Sequence, residues 1–226
     1  MKIYMLTKER PDFRATDWCL TPEVPRTYIT SSDDPYRNRY GYRSEIVTVR
    51  PGIGEAMQFI LDDCKEQLAL VLHDDLWFKR VTWFDDGPYP SDCRGSIVWM
   101  EIMERYLSQY SMVALSDKRT HRSRSREGIE GGVLERAIAF DLNVVREEGI
   151  DVMQWTQTAD LCLALELLTR GYPGFTLTNF YYEPTSDGSV NPLKRRVRDE
   201  VKQFFPSYVR EDGTIDWYLA YERCVL

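Results

Sequence analysis

The chain has 226 residues, 43% of them hydrophobic and 29% charged, with a formal net charge of -7. A chain of this length buries a substantial core as one domain, 1–226, and its acidic balance excludes a protein that coats nucleic acid by bulk charge, while leaving room for a local basic patch. No apolar stretch approaches membrane-spanning length, the start carries no signal-peptide pattern, and five scattered cysteines without a C-x-x-C pair suit a reduced, cytoplasmic setting.

Lys2–Leu6 reads as a strand that runs into a polar segment, Thr7–Thr16. Arg10 and Arg14 in that segment are placed to meet a nucleotide phosphate, or simply to line a solvated loop. Thr27–Thr30 and Glu45–Val49 are further strands, separated by a turn-rich stretch with Pro35 and Gly41. Pro51-Gly52-Ile53-Gly54 opens a helix to about Glu66 with Met57, Ile60, Leu61 and Cys64 on one face. The strand–helix–strand order implies a right-handed parallel crossover into the next strand.

That strand begins the run LALVLHDDLWF, Leu68–Phe78. A continuous aliphatic run of strand length indicates a strand buried on both faces of a parallel sheet. It ends abruptly in His73-Asp74-Asp75. Carboxylates are costly beside an apolar interior unless a cation or donors meet them, and the carboxyl ends of strands in open α/β sheets are where ligands bind. Asp74 and Asp75 are therefore candidates to hold a divalent metal that in turn holds a diphosphate, beside the plainer reading of an acidic loop that caps the next turn.

Asp85–Arg94 reads as a loop, Gly95–Tyr110 as a helix and Ser111–Leu115 as a strand. Lys118, Arg119, Arg122, Arg124 and Arg126 then form the most basic stretch of an acidic protein, alternating with serines and lacking apolar periodicity. Such a loop suits a polyanion, most directly a DNA backbone, or is simply a solvated surface loop. Arg136–Phe140 is a strand candidate, Leu142–Glu148 a short helix, and Leu161–Arg170 a strong helix with Thr158 as N-cap and Asp160 in its first turn. Phe175–Tyr182 is a late strand, and Pro192–Phe205 a helix closed by Pro206. With no repeats and no interdomain linker, the expectation is one α/β domain with a mostly parallel central sheet flanked by helices.

The order of these landmarks resembles nucleotide-sugar glycosyltransferases of the GT-A fold, and more closely the phage and eukaryotic TET-associated DNA glycosyltransferases. His73-Asp74-Asp75-Leu76-Trp77-Phe78 is similar to that family's Asp-Asp-Asp-Leu-x-Phe metal motif. Ala159-Asp160, continuing through Leu167-Leu168 to Gly171-Tyr172, resembles its late Glu-Asp motif, and Phe205–Arg210 a phrase that follows it. The resemblance implies transfer of glucose or a similar sugar from a UDP-sugar to a 5-hydroxymethylpyrimidine in DNA, with Mn2+ or Mg2+. It implies Asp75 as metal ligand, Asp74 as second ligand or sugar contact, His73 at the ribose or metal, and Asp160 as general base. Two positions depart from the family pattern: His73 stands for its first acid and Ala159 for the glutamate before the base. Transfer to a small molecule, glycan or protein, and an inactive nucleic-acid-binding relative, stay open beside this reading.

Overall fold

The computed structural model describes residues 1–7, 15–20, 23–37, 45–84, 87–93, 98–117, 127–184 and 199–225. The run LALVLH forms β4 (Leu68–His73), and its composition has a direct structural cause. Ala69 and Val71 face one apolar cluster, Leu70 and Leu72 the other, so both faces of the strand are covered. A strand in that position has no face left for polar residues until it leaves the sheet.

Before β4 come β1 (Lys2–Leu6), α1 (Ala15–Cys19), β2 (Thr27–Ser31), β3 (Ile46–Val49) and α2 (Ile53–Asp63). After it come β5 (Leu76–Phe84), β6 (Gly87–Asp92), α3 (Val98–Tyr106), β7 (Met112–Asp117), β8 (Gly128–Glu130), β9 (Ala137–Asp141) and α4 (Leu142–Glu147). The chain continues through a 3-10 turn (Val152–Gln154), α5 (Ala159–Thr169), β10 (Gly174–Pro184), α6 (199–204) and α7 (Trp217–Val225). The strands form one sheet in the order β3-β2-β1-β4-β9-β7-β10-β5-β6, with β8 on β10.

β1, β2, β3 and β4 run parallel. β9 opposes both β4 and β7, so β7 and its parallel neighbour β10 point the same way as β4. Among the described strands only β5, β8 and β9 are reversed, and β6, antiparallel to β5, rejoins the majority direction. The sheet is thus mixed but mostly parallel, as expected. β3 and β4, joined through α2, are parallel with β2 and β1 between them.

Two helical layers cover the sheet. On one face α2, α4, α5, α6 and α7 share a core with Tyr4, Val71, Ala114 and Ile138; on the other, α1 and α3 pack on Met5, Leu72, Leu115 and Phe78. Trp99 of α3 meets Phe78 edge-on at 5.0 Å between ring centroids. α5 is apolar nearly all round because it lies between the sheet and neighbouring helices, with Leu161, Leu163, Leu165 and Leu168 all buried. α2 starts hard against the 3-10 turn: a Cβ on Gly54 would lie 2.3 Å from the Trp155 carbonyl oxygen, so only glycine fits.

Some elements differ from the expectation. Asp85–Arg94 is not simply a loop, because it contains β6, whose Pro88 and Pro90 are tolerated on a strand that, among the described residues, pairs only with β5. β8 forms at Gly128–Glu130, a segment not among the expected strands. Trp217–Val225, for which no element is expected above, folds as α7 by burying Trp217 and Ala220 against α5. The helix expected from Pro192 is observed over 199–204, its earlier residues lying outside the described ones.

Candidate active site

The strand directions bring the carboxyl ends of β1, β4, β7 and β10 and the amino end of β9 to one edge of the sheet. At that edge β4 stops at His73, and Asp74 and Asp75 turn the chain into β5. The turn is clamped from several sides. The Asp74 N–H donates to the Leu6 carbonyl at 3.2 Å, and the His73 N–H donates to the Arg136 carbonyl at 3.1 Å. The Thr16 hydroxyl donates to the His73 carbonyl at 2.7 Å and receives the Leu76 N–H at 3.0 Å.

Both carboxylates of the turn are buried, Asp74 at 2% and Asp75 at 3% exposure. The Thr7 hydroxyl donates to Asp74 Oδ2 at 2.5 Å, and Arg136 Nη1 lies 3.8 Å from Asp75 Oδ2. Adjacent buried carboxylates demand positive charge or donors, and these groups supply part of it.

Among the described residues no trio of His, Cys, Asp or Glu is arranged as a metal cage. Mg2+ and Mn2+ do not require one. Such hard ions take one or two protein carboxylates and complete their shell with water and substrate phosphate oxygens. Asp74 and Asp75, oxygen donors at the carboxyl end of a buried strand, fit that demand.

Asp160 lies on the first turn of α5 and meets the turn through a neighbour: His73 Nε2 lies 3.1 Å from Asp160 Oδ2. Burial works against charge on both groups. Their hydrogen bond and mutual attraction more than offset it, so His73 lies above its ordinary 6.5 and Asp160 below its ordinary 3.8. The Arg136 charge reaches both, lowering each, while Asp75 raises His73. The result is a hydrogen-bonded pair straddling β4 and α5, an ion pair wherever the imidazole is protonated, with the imidazole side chain 26% exposed and the carboxylate 7%.

The backbone leading into α5 is held by a residue that local pattern does not single out. Thr158 is the N-cap, but its hydroxyl does not cap the helix. Instead Glu200 of α6 collects the N–H groups of Thr156, Gln157 and Thr158 at 2.7, 2.9 and 2.9 Å, together with the hydroxyls of Thr156 and Thr158.

Of the residues singled out by sequence, the fold brings His73, Asp74, Asp75 and Asp160 together. Arg10 and Arg14 lie outside the described residues, as do Lys118, Arg119, Arg122, Arg124 and Arg126. Missed were Thr7, Thr16, Arg136 and Glu200. Thr7 had a signal, a hydroxyl directly after an aliphatic strand. Arg136 reads only as the start of a strand.

No protein-family model matches the sequence, and no curated protein is similar to it by sequence. Among solved structures, a mannosyltransferase from Pyrobaculum calidifontis in complex with GDP-Man and Mn2+ is similar over 99% of this chain and 72% of its own, with TM-score 0.63 and 12% identity. A glucosyl-3-phosphoglycerate synthase from Mycobacterium tuberculosis in complex with Mg2+ and UDP matches over 75% of this chain and 65% of its own, with TM-score 0.46 and 13% identity. CMP:2-keto-3-deoxy-manno-octonic acid synthetase complexed with CTP matches over 90% of this chain and 99% of its own, with TM-score 0.47 and 11% identity. The mannosyltransferase carries the comparison of folds, and the chain has the GT-A-type α/β architecture that its motifs lead one to expect.

Proposed function

We propose that the chain is a metal-dependent glycosyltransferase that moves a sugar, with glucose the first candidate, from a UDP-sugar to the hydroxyl of a 5-hydroxymethylpyrimidine in DNA. The observation that carries the transferase reading is the buried Asp74–Asp75 turn at the carboxyl end of β4, with Asp160 brought to it through His73. The mannosyltransferase of the same fold, complexed with GDP-Man and Mn2+, supports it. The DNA acceptor is supported by the resemblance of the motifs around Asp75 and Asp160 and by the basic stretch Lys118–Arg126.

In this reading Asp75 and Asp74 hold Mn2+ or Mg2+, and Thr7 fixes the rotamer of Asp74. A bound divalent cation supplies neutralisation of the charge that develops on the diphosphate leaving group. Asp160, kept anionic by His73, takes the proton of the acceptor hydroxyl as it attacks the anomeric carbon. Arg10 and Arg14 contact the donor phosphates, and Lys118, Arg119, Arg122, Arg124 and Arg126 hold the DNA strand.

One observation favours a second assignment of the base. The His73 side chain is more exposed than Asp160, 26% against 7%, so the imidazole can meet the hydroxyl with Asp160 orienting it from behind. His73→Gln separates the two by its pH profile: Asp160 loses the partner that keeps it anionic, so activity that recovers as pH rises leaves Asp160 as the base, whereas a loss of about 100-fold or more at every pH moves the role to His73.

The test of the function is incubation with UDP-sugars, Mn2+ and hydroxymethylated DNA, followed by mass spectrometry of the nucleosides. A hexosylated nucleoside that disappears in Asp160→Asn, with the variant still folded, is the expected result. Hydrolysis of the sugar nucleotide that is indifferent to DNA would instead assign a small-molecule, glycan or protein acceptor.

A further inference from the structure

Arg136 is the one non-glycine residue with positive φ among the described residues, at 63°. Left-handed backbone is uncommon for L residues and persists where the surroundings over-determine it, often at functional sites. Here the surroundings are tight. The Arg136 carbonyl accepts the His73 N–H at 3.1 Å, the Tyr182 hydroxyl donates to the neighbouring Glu135 carbonyl at 3.2 Å, and the chain enters β9 at Ala137. This bend aims the guanidinium at the acidic turn.

The pairing it makes there is loose. Nη1 stands 3.8 Å from Asp75 Oδ2, beyond hydrogen-bond length, and the arginine side chain is 30% exposed while the carboxylate is 4% exposed. One partner is therefore fixed and the other has room to move. A guanidinium offers five donors in a planar fork that suits a carboxylate or a phosphate alike. Its backbone anchor keeps it within reach of whatever lies over the turn.

We propose that Arg136 is a two-position cation: it compensates Asp75 in the metal-free site, and it turns to the diphosphate oxygens of a bound nucleotide once Asp75 is engaged by a divalent cation. The inference rests on the reading of the turn as a metal and diphosphate site. It has consequences of opposite sign. Arg136 and the divalent ion compete for one carboxylate, so removing the guanidinium tightens metal binding by the nucleotide-free protein. It also removes a phosphate partner, so nucleotide binding weakens. A residue that merely shapes the turn would weaken both.

The experiment compares the wild-type chain with Arg136→Asn, which tolerates left-handed backbone, and Arg136→Lys, which keeps the charge. Arg136→Gly, free of the backbone strain, replaces the asparagine variant should that chain not fold. Mn2+ is titrated into each protein and the free ion followed by its EPR signal; UDP is then titrated calorimetrically at saturating Mn2+. The neutral variant is expected to bind Mn2+ about fivefold more tightly and UDP about tenfold more weakly than wild type, with Arg136→Lys near wild type for Mn2+ and intermediate for UDP. Equal or weaker Mn2+ affinity in the neutral variant overturns the proposal, and so does unchanged UDP affinity. If the wild-type chain binds neither Mn2+ nor UDP, the site is not a metal and diphosphate site, and the proposal falls with that reading.

Discussion

His73 and Asp160 depend on each other, and the signs of their shifts say how. Asp160 has its carboxyl held below 3.8, so its contribution to stability is present above the carboxylate range of the unfolded chain and is lost as pH falls through the native value. His73 is held above 6.5, so its contribution is complete below 6.5 and is lost as pH rises through its native value. The ion pair is intact between these limits. In Asp160→Asn the imidazole keeps the burial that opposes its charge and loses the partner that offsets it, so its midpoint falls. Proton NMR of the two histidines, with His73 assigned through His73→Gln, reads this directly. An unchanged His73 midpoint in Asp160→Asn would mean that the contact does not exist in solution.

At the scale of elements, the site depends on where α5 begins. Its apolar composition favours a helix but does not by itself fix the first helical residue. Glu200 removes that freedom by gathering the backbone N–H groups of Thr156, Gln157 and Thr158. α6 thereby registers the helix that carries Asp160 against the strand that carries His73. Glu200→Ala is expected to cost about 1–2 kcal/mol, since hydrogen bonds to a charged acceptor are lost at a partly buried position. Urea unfolding measures it. Glu200→Gln keeps one of the two acceptor oxygens but turns an NH2 group toward the donors the other oxygen served, so it should recover only part of the loss; a Glu200→Ala chain as stable as wild type would show that the carboxylate does not hold this backbone.

For the whole molecule, a net charge of -7 means that long-range steering repels a polyanion, and any affinity for DNA has to come from a local basic stretch. Binding to hydroxymethylated DNA should therefore weaken steeply with salt. Exchanging Lys118, Arg119, Arg122, Arg124 and Arg126 for neutral residues should flatten the dependence of log affinity on log salt by about 0.9 for each phosphate contact removed. A slope that does not change on neutralising these residues would remove them from the acceptor site. Seen along the chain, layered α/β structure, the acidic end of β4 and Asp160 at the head of α5 are legible because burial leaves its mark on local composition: Leu68–Leu72 is apolar since both its faces are covered, and α5 is apolar since the sheet and its neighbouring helices enclose it. Strand direction is not legible in this way. β9 and β4 are similar aliphatic runs, and nothing in either says that they oppose each other. β6 looks like a loop by its prolines and is a strand only because β5 offers it an edge. The meeting of His73 with Asp160, 87 positions apart, and of Arg136 with Asp75 arises where elements remote in sequence converge on one rim of the sheet. Local patterning records how deeply a segment is buried; it holds no information about which distant segment lies against it, and the chemistry of this site is made of such encounters.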